Sequence, residues 1–98
     1  MWQLITCDVF TQWFKEQPET LQESVLFSLG LLKQFGPHLG RPHVDTLKGS
    51  KFSNMKELRI QHLGDPVRAF FIFDPLRRAI VMCAGDKTGI NEAQFYKK

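Results

Sequence analysis

Two arginines, Arg59 and Arg68, flank a predicted hairpin turn. The segment reads Lys56-Glu57-Leu58-Arg59-Ile60-Gln61, then His62-Leu63-Gly64-Asp65, then Pro66-Val67-Arg68-Ala69-Phe70-Phe71-Ile72-Phe73. Strand side chains alternate between the two faces of a sheet. An even-numbered hairpin loop therefore puts both guanidiniums on one face, directly opposite or one diagonal step apart. An odd loop puts them on opposite faces. Like charges facing each other across two strands cost about 0.2–1 kcal/mol. An anionic ligand offsets that cost, and phosphate is the first candidate. Histidine is the side-chain type suited to a general base, which makes His38, His43 and His62 candidates, although most loop histidines are simply solvated. Glu57 shares the predicted face of Arg59 and reads first as its ion-pair partner.

Stepping outward, the elements that must carry these residues follow from periodicity. Trp2-Gln3-Leu4-Ile5-Thr6 is a short first strand. Asp8 is read as an N-cap, followed by Phe10, Trp13 and Phe14 at i, i+3, i+4 on one helical face. This helix ends near Gln17. Pro18 and Glu19 suit the first turn of a second helix. Leu21, Val25, Leu29 and Leu32 form its stripe, widened by Leu26, Phe27 and Phe35, and Gly36-Pro37 stops it. Residues 37–54 carry Pro and Gly and read as irregular.

Three strands are expected at 56–61, 66–73 and 78–84, with Asp74-Pro75-Leu76-Arg77 as a type I turn. Asn91 is placed to cap a short C-terminal helix. The expected architecture is α+β: two N-terminal helices packed on a small antiparallel sheet, in one domain spanning 1–98. With two even loops, Leu58, Ile60, Val67, Ala69, Phe71, Phe73, Ile80, Met82 and Ala84 form the core face. Glu57, Arg59, Gln61, Arg68, Phe70, Ile72, Ala79, Val81, Cys83 and Lys87 form the other. Cys83 then lies beside Arg68, and Arg59, Arg68 and Lys87 cluster at a cationic end.

Composition narrows the class. The net charge of +3 is asymmetric. Residues 1–47 hold three cations against five carboxylates, a net −2, and residues 48–98 hold ten against five, a net +5. A basic half suits a nucleic-acid backbone or an acidic protein, or is simply solvated. The apolar stretch from Val25 to Leu32 is far shorter than the roughly 20 residues of a membrane span. No signal-peptide pattern opens the chain. Two cysteines, Cys7 and Cys83, lack the spacing of a disulfide framework or metal site and fit reduced thiols in a cytoplasmic protein. No nucleotide-loop, zinc, calcium or nucleophile-elbow motif is present, so neither metal nor cofactor is expected.

Lys56-Glu57-Leu58-Arg59, Val67-Arg68-Ala69-Phe70-Phe71-Ile72-Phe73, Ala79-Ile80-Val81-Met82 and Gly85-Asp86-Lys87-Thr88 together resemble the HigB-type toxins. These are the phage Gp49-like branch of the RelE/ParE superfamily. The resemblance implies a ribosome-dependent mRNA endonuclease that needs no metal, in which a ribose 2′-OH attacks the adjacent phosphate. It implies a HigA-like antitoxin with a helix-turn-helix domain, through which alone the complex would reach operator DNA. Arg59, Arg68 and Lys87 match the family's basic catalytic positions. Lys48, Lys51, Lys56, Arg77 and Arg78 would contact ribosome or message phosphates, positioning RNA without reading its sequence. Apart from the resemblance, Tyr96 is of a type that stacks on a base or donates a proton, but Phe95 or Tyr96 reads first as a hydrophobic anchor of the last helix. Two other functions fit the same residues: a ParE-like inhibitor of DNA gyrase, and a non-catalytic basic module that docks an acidic partner.

Overall fold

The computed structural model describes residues 2–46, 55–62 and 65–86. The expected C-terminal helix, Lys48, Lys51, Lys87 and Tyr96 lie outside these residues. Strand β1 (Gln3–Thr6) leads into helix α1 (Asp8–Lys15) and helix α2 (Glu19–Phe35). Strands β2 (Val44–Thr46), β3 (Lys56–His62), β4 (Asp65–Asp74) and β5 (Arg78–Asp86) follow. They build one five-stranded sheet in the order β1-β5-β4-β3-β2. The sheet is mixed, because β1 runs parallel to β5 while the other neighbours are antiparallel.

Each helix carries an acid in its first turn and a lysine in its last, both favourable to the helix dipole. Cys7, one residue before the expected Asp8, is the N-cap of α1. In α1 the Phe10 ring meets Trp13 at 5.8 Å and Phe14 at 6.2 Å, as their spacing dictates. In α2 Leu21, Val25, Leu29 and Leu32 are buried as expected. Leu26, Phe27 and Phe35 are exposed and do not widen the stripe. Gly36 ends the helix at φ +54°. The indole of Trp2 occupies the space a Cβ would need there, so both conformation and contact demand glycine. The Trp2 backbone N–H also donates to the Lys33 carbonyl at 2.9 Å, which ties the sheet edge to the end of α2.

The helices cover one face of the sheet. Its buried residues are Leu58 and Ile60 from β3, Val67, Ala69 and Phe71 from β4, and Ala79, Val81 and Ala84 from β5. The expected sorting therefore holds for β3 and β4 and fails for part of β5. Two features reverse its parity. The β4–β5 loop has three residues, since Asp74 pairs with Arg78. Arg77 sits there at φ +62°, the left-handed position that closes such a loop. This brings Ala79 and Val81 to the core and turns Ile80 outward. A bulge follows, because Phe71 pairs with Val81 and Phe70 with Cys83. The extra residue, Met82, shifts parity again, so Ala84 returns to the core. Cys83 consequently lies beside Phe70, and Gly85 replaces it opposite Arg68.

One pair of identical substitutions tests this parity. Ile60 is fully buried, and Ile60→Ala should cost about 2–5 kcal/mol in urea unfolding. Ile80→Ala should cost less than half as much; equal costs would place Ile80 in the core and contradict the three-residue loop.

Candidate phosphate site

The β3–β4 hairpin holds the arginines face to face. His62 pairs with Asp65, which leaves two residues between them, and Arg59 pairs directly with Arg68. The even loop on which the sequence reading depends is therefore present. Both side chains leave the sheet on the face opposite the helices, with Glu57 two residues before Arg59 on the same face.

Glu57 resolves the repulsion. It is only 4% exposed. Its Oε1 accepts from Arg59 Nε at 3.1 Å, and its Oε2 lies 3.4 Å from Arg68 Nη1. Arg59 Nη2 also donates to Asp45 Oδ2 at 3.0 Å, and Asp45 Oδ1 accepts from Arg41 Nη2 at 3.3 Å. Three guanidiniums thus alternate with two carboxylates, for a net charge of +1. The ladder has one strong end. Arg41 is largely exposed, and an ion pair of that kind contributes about 0–1 kcal/mol. Glu57 is buried, and stripping a partner from a buried pair costs about 3–5 kcal/mol.

The pairing leaves capacity for a ligand. A guanidinium has five N–H donors. The Arg68 contact to Glu57 lacks hydrogen-bond geometry, and both Glu57 Oε2 and Arg68 Nε are buried without a hydrogen-bond partner among the described residues, so an anion would be met by the other guanidinium nitrogens. Arg68 is 23% exposed and Arg59 38%, so both reach solvent. The arrangement can clamp one oxyanion between two pre-aligned forks.

Two aspartates are held by backbone donors, Asp45 beside Arg59 and Asp74 at the distant β4–β5 turn. Asp45 lies below its ordinary carboxylate range, chiefly because it accepts the Thr46 N–H, with Arg41 and Arg59 adding to this. Asp74 is lowered by the Leu76 N–H first and Arg78 second.

The remaining basic residues are not gathered here. Lys56 has the parity of Leu58 and donates to Thr46 Oγ1 at 3.2 Å. Arg77 stacks its guanidinium 5.6 Å over the Trp2 ring, and Arg78 is paired with Asp74. Both lie at the far end of the β4–β5 hairpin, about 20 Å from Arg68 at the usual strand rise. Lys87, Lys48 and Lys51 lie outside the described residues. His38 ends a short 3-10 turn (Gly36–His38). His62 ends β3 rather than sitting in the turn, and its Nδ1 is 3.3 Å from Ser24 Oγ. The sequence reading missed Asp45, because β2 falls within the segment taken as irregular. Its only signal is the β-branched Val44 and Thr46 on either side. No group of His, Cys, Asp and Glu among the described residues could hold a metal ion. No helix there is long and apolar enough to cross a membrane.

Comparison with known proteins sets this geometry in a family. The model of the phage-derived Gp49-like proteins matches residues 12–98. The chain belongs to the Gp49-like family. Mycobacterium tuberculosis has a protein named as toxin HigB3 that is 45% identical over 78 residues, covering 80% of this chain and 67% of its own. Its protein named as toxin HigB2 is 42% identical over 87 residues, covering 86% of this chain and 43% of its own. The chain thus spans two thirds or less of these relatives. The isolated E. coli RelE toxin superposes with a TM-score of 0.69 at 12% identity, over 97% of this chain and 93% of RelE. A chain of the intact E. coli RelBE toxin–antitoxin complex gives 0.65 at 12% identity, over 87% of this chain and 95% of that one. The fold is RelE-like: two helices on a five-stranded mixed sheet. Sequence and fold together place the chain among the RelE/HigB-type toxins of toxin–antitoxin systems.

Two outcomes follow from the ladder. Glu57→Ala removes the buried charge and leaves two arginines that reach solvent, so it should lower the unfolding free energy by about 1.5–3 kcal/mol, read by urea titration, whereas Arg41→Ala should stay within about 1 kcal/mol. Asp45 and Asp74 have folded-state values below their ordinary ones, so the unfolded chain binds more protons in acid. Their contribution should be complete above the ordinary value of 3.8 and lost as pH falls below it. Replacing both with Asn should flatten a melting profile recorded from pH 5 to pH 2.

Proposed function

We propose that this protein is a ribosome-dependent endoribonuclease that cuts translated message and is neutralised by a HigA-like helix-turn-helix antitoxin. The direct register pairing of Arg59 with Arg68 is its main support. Two cations on one sheet face, held by a single buried carboxylate, match what cleavage of an RNA phosphodiester needs. The ribose 2′-OH attacks the adjacent phosphorus and surrenders its proton to a base. A pentacoordinate phosphorane forms with extra negative charge on its equatorial oxygens. The P–O5′ bond then breaks, leaving a 2′,3′-cyclic phosphate and a 5′-hydroxyl that takes up a proton. Arg59 and Arg68 stabilise the charge as it develops, and donors fixed in advance do so without reorganising. Lys87 supplies a third cation to the same phosphate.

The family and the RelE-like fold support the same activity. In the partner role, an antitoxin would hold the protein inactive as a complex, as the E. coli RelBE assembly is a toxin with its antitoxin. Operator DNA would be bound by that antitoxin. The ribosome would supply the message in an extended, single-stranded form, with Lys48, Lys51 and Lys56 holding its backbone. Arg77 and Arg78, already paired and at the distant turn, would contribute least.

Purified protein added to a translating extract should cleave message and stop synthesis. Arg59→Ala and Arg68→Ala should each lower the cleavage rate by about two orders of magnitude or more while remaining folded by circular dichroism. Folded wild-type protein that leaves message intact would contradict the proposal. If its expression in cells halted DNA replication before protein synthesis, a gyrase target would replace it.

A further inference from the structure

A groove of about 360 Å³ opens beside Arg59, between helix α2 and the edge of β3. It exists because β2 pairs only with residues 56–58 of β3, and the Arg59 N–H adds one bond to the His43 carbonyl at 2.7 Å. Beyond that point the β3 edge has no strand beside it on that side among the described residues. The helix does not close the gap. It leans against the end of β3 through Ser24 Oγ and His62 Nδ1, 3.3 Å apart. The groove is walled by Glu23, Ser24, Phe27 and Ser28 from α2 and by His43, Arg59 and Gln61 from the sheet edge.

We propose that this groove seats the base of the nucleotide next to the phosphate held by Arg59 and Arg68. The inference rests on the proposed RNA cleavage and extends it to a second contact on the same strand. Arg59 belongs to both features, so a chain whose phosphate lies on the arginine pair has its neighbouring nucleoside at the mouth of the groove. The walls suit a neutral, planar, hydrogen-bonding group. Arg59 and Glu23 oppose one another in charge, which disfavours a second phosphate. Gln61 offers amide donors and an acceptor, the side-chain type that reads base edges. Ser24 and Ser28 add hydroxyls. Phe27 is 69% exposed on a helix whose other face forms the core, so packing among the described residues does not account for it. An aromatic ring at the rim of a polar groove is the usual platform for an unstacked base. The volume falls at the lower end of small-ligand sites, about 300–1,000 Å³.

The test uses the full chain and amide NMR titrations with uridine 5′-monophosphate, adenosine 5′-monophosphate and ribose 5-phosphate. All three should shift Arg59 and Arg68. Only the nucleotides should also shift Phe27, Gln61 and His43. Phe27→Ala should weaken nucleotide binding at least about fivefold, the low end of one stacked base, and leave ribose 5-phosphate unchanged. Because Phe27 is exposed, the variant should keep the wild-type spectrum elsewhere. Nucleotides and ribose 5-phosphate giving the same shifts, or Phe27→Ala leaving nucleotide affinity intact, would overturn the base site while sparing the phosphate site. Phe27→Ala weakening capture by the antitoxin with nucleotide binding unchanged would assign the groove to a protein instead. If none of the three ligands shifts Arg59 and Arg68, the phosphate site itself fails, a result distinct from loss of the groove contact alone.

Discussion

A single buried carboxylate sets the terms for the functional face of this protein. Glu57 lies between Arg59 and Arg68, and the hairpin register forces those two guanidiniums to face each other. Without it, two like charges would confront one another on a sheet and turn away toward solvent. With it, both are held at fixed positions while their side chains keep access to solvent. Glu57 also limits the site: its charge partly cancels the pair, so a phosphate must compete with it. Pre-alignment is gained at some loss of raw attraction, a trade that favours catalysis over tight binding. Asp45 steadies the outer side of Arg59 and links the pair to β2, the edge strand.

The register that creates this arrangement is narrow in its tolerances. One residue added to the β3–β4 loop would send Arg68 to the core face and bring an apolar neighbour outward. On the other side of β4 the chain changes parity twice, by a three-residue loop and by the bulge at Met82. The two changes cancel beyond the bulge. The core face is thereby restored at Ala84, next to the strand segment that carries Arg68. The bulge confines the irregularity to the middle of β5 and leaves the arginine end of the sheet regular.

How far the sequence foretold this differs from strand to strand for a physical reason. In β3 and β4 polar and apolar residues alternate, so Leu58, Ile60, Val67, Ala69 and Phe71 could be sorted, and with them Arg59 and Arg68. In β5 the run Ala79-Ile80-Val81-Met82 is apolar on both parities. Nothing in it distinguishes inside from outside, so the parity set by the three-residue loop shows only in the structure. Strand β2 is too short and too close to Pro42 and Gly40 to show a pattern, which hid Asp45. Phe27 is spaced like a core residue of α2, and only the packed structure shows that it faces outward beside a groove. Glu57 was legible as the arginines' partner because it shares their parity and sits two residues away. The family resemblance supplied the proposed ligand, and the geometry supplied the pairing that makes an RNA phosphate chemically reasonable.

The chemistry of the cut ends tests the central claim most directly. Message recovered from a translating extract should carry a 2′,3′-cyclic or 3′-phosphate on the upstream fragment and a 5′-hydroxyl on the downstream one. A single 2′-deoxy substitution at the cut nucleotide should abolish cleavage there, and Arg59→Ala with Arg68→Ala should abolish it everywhere. A 5′-phosphate on the downstream fragment, or cleavage that survives both the 2′-deoxy substitution and the loss of the arginines, would contradict the account.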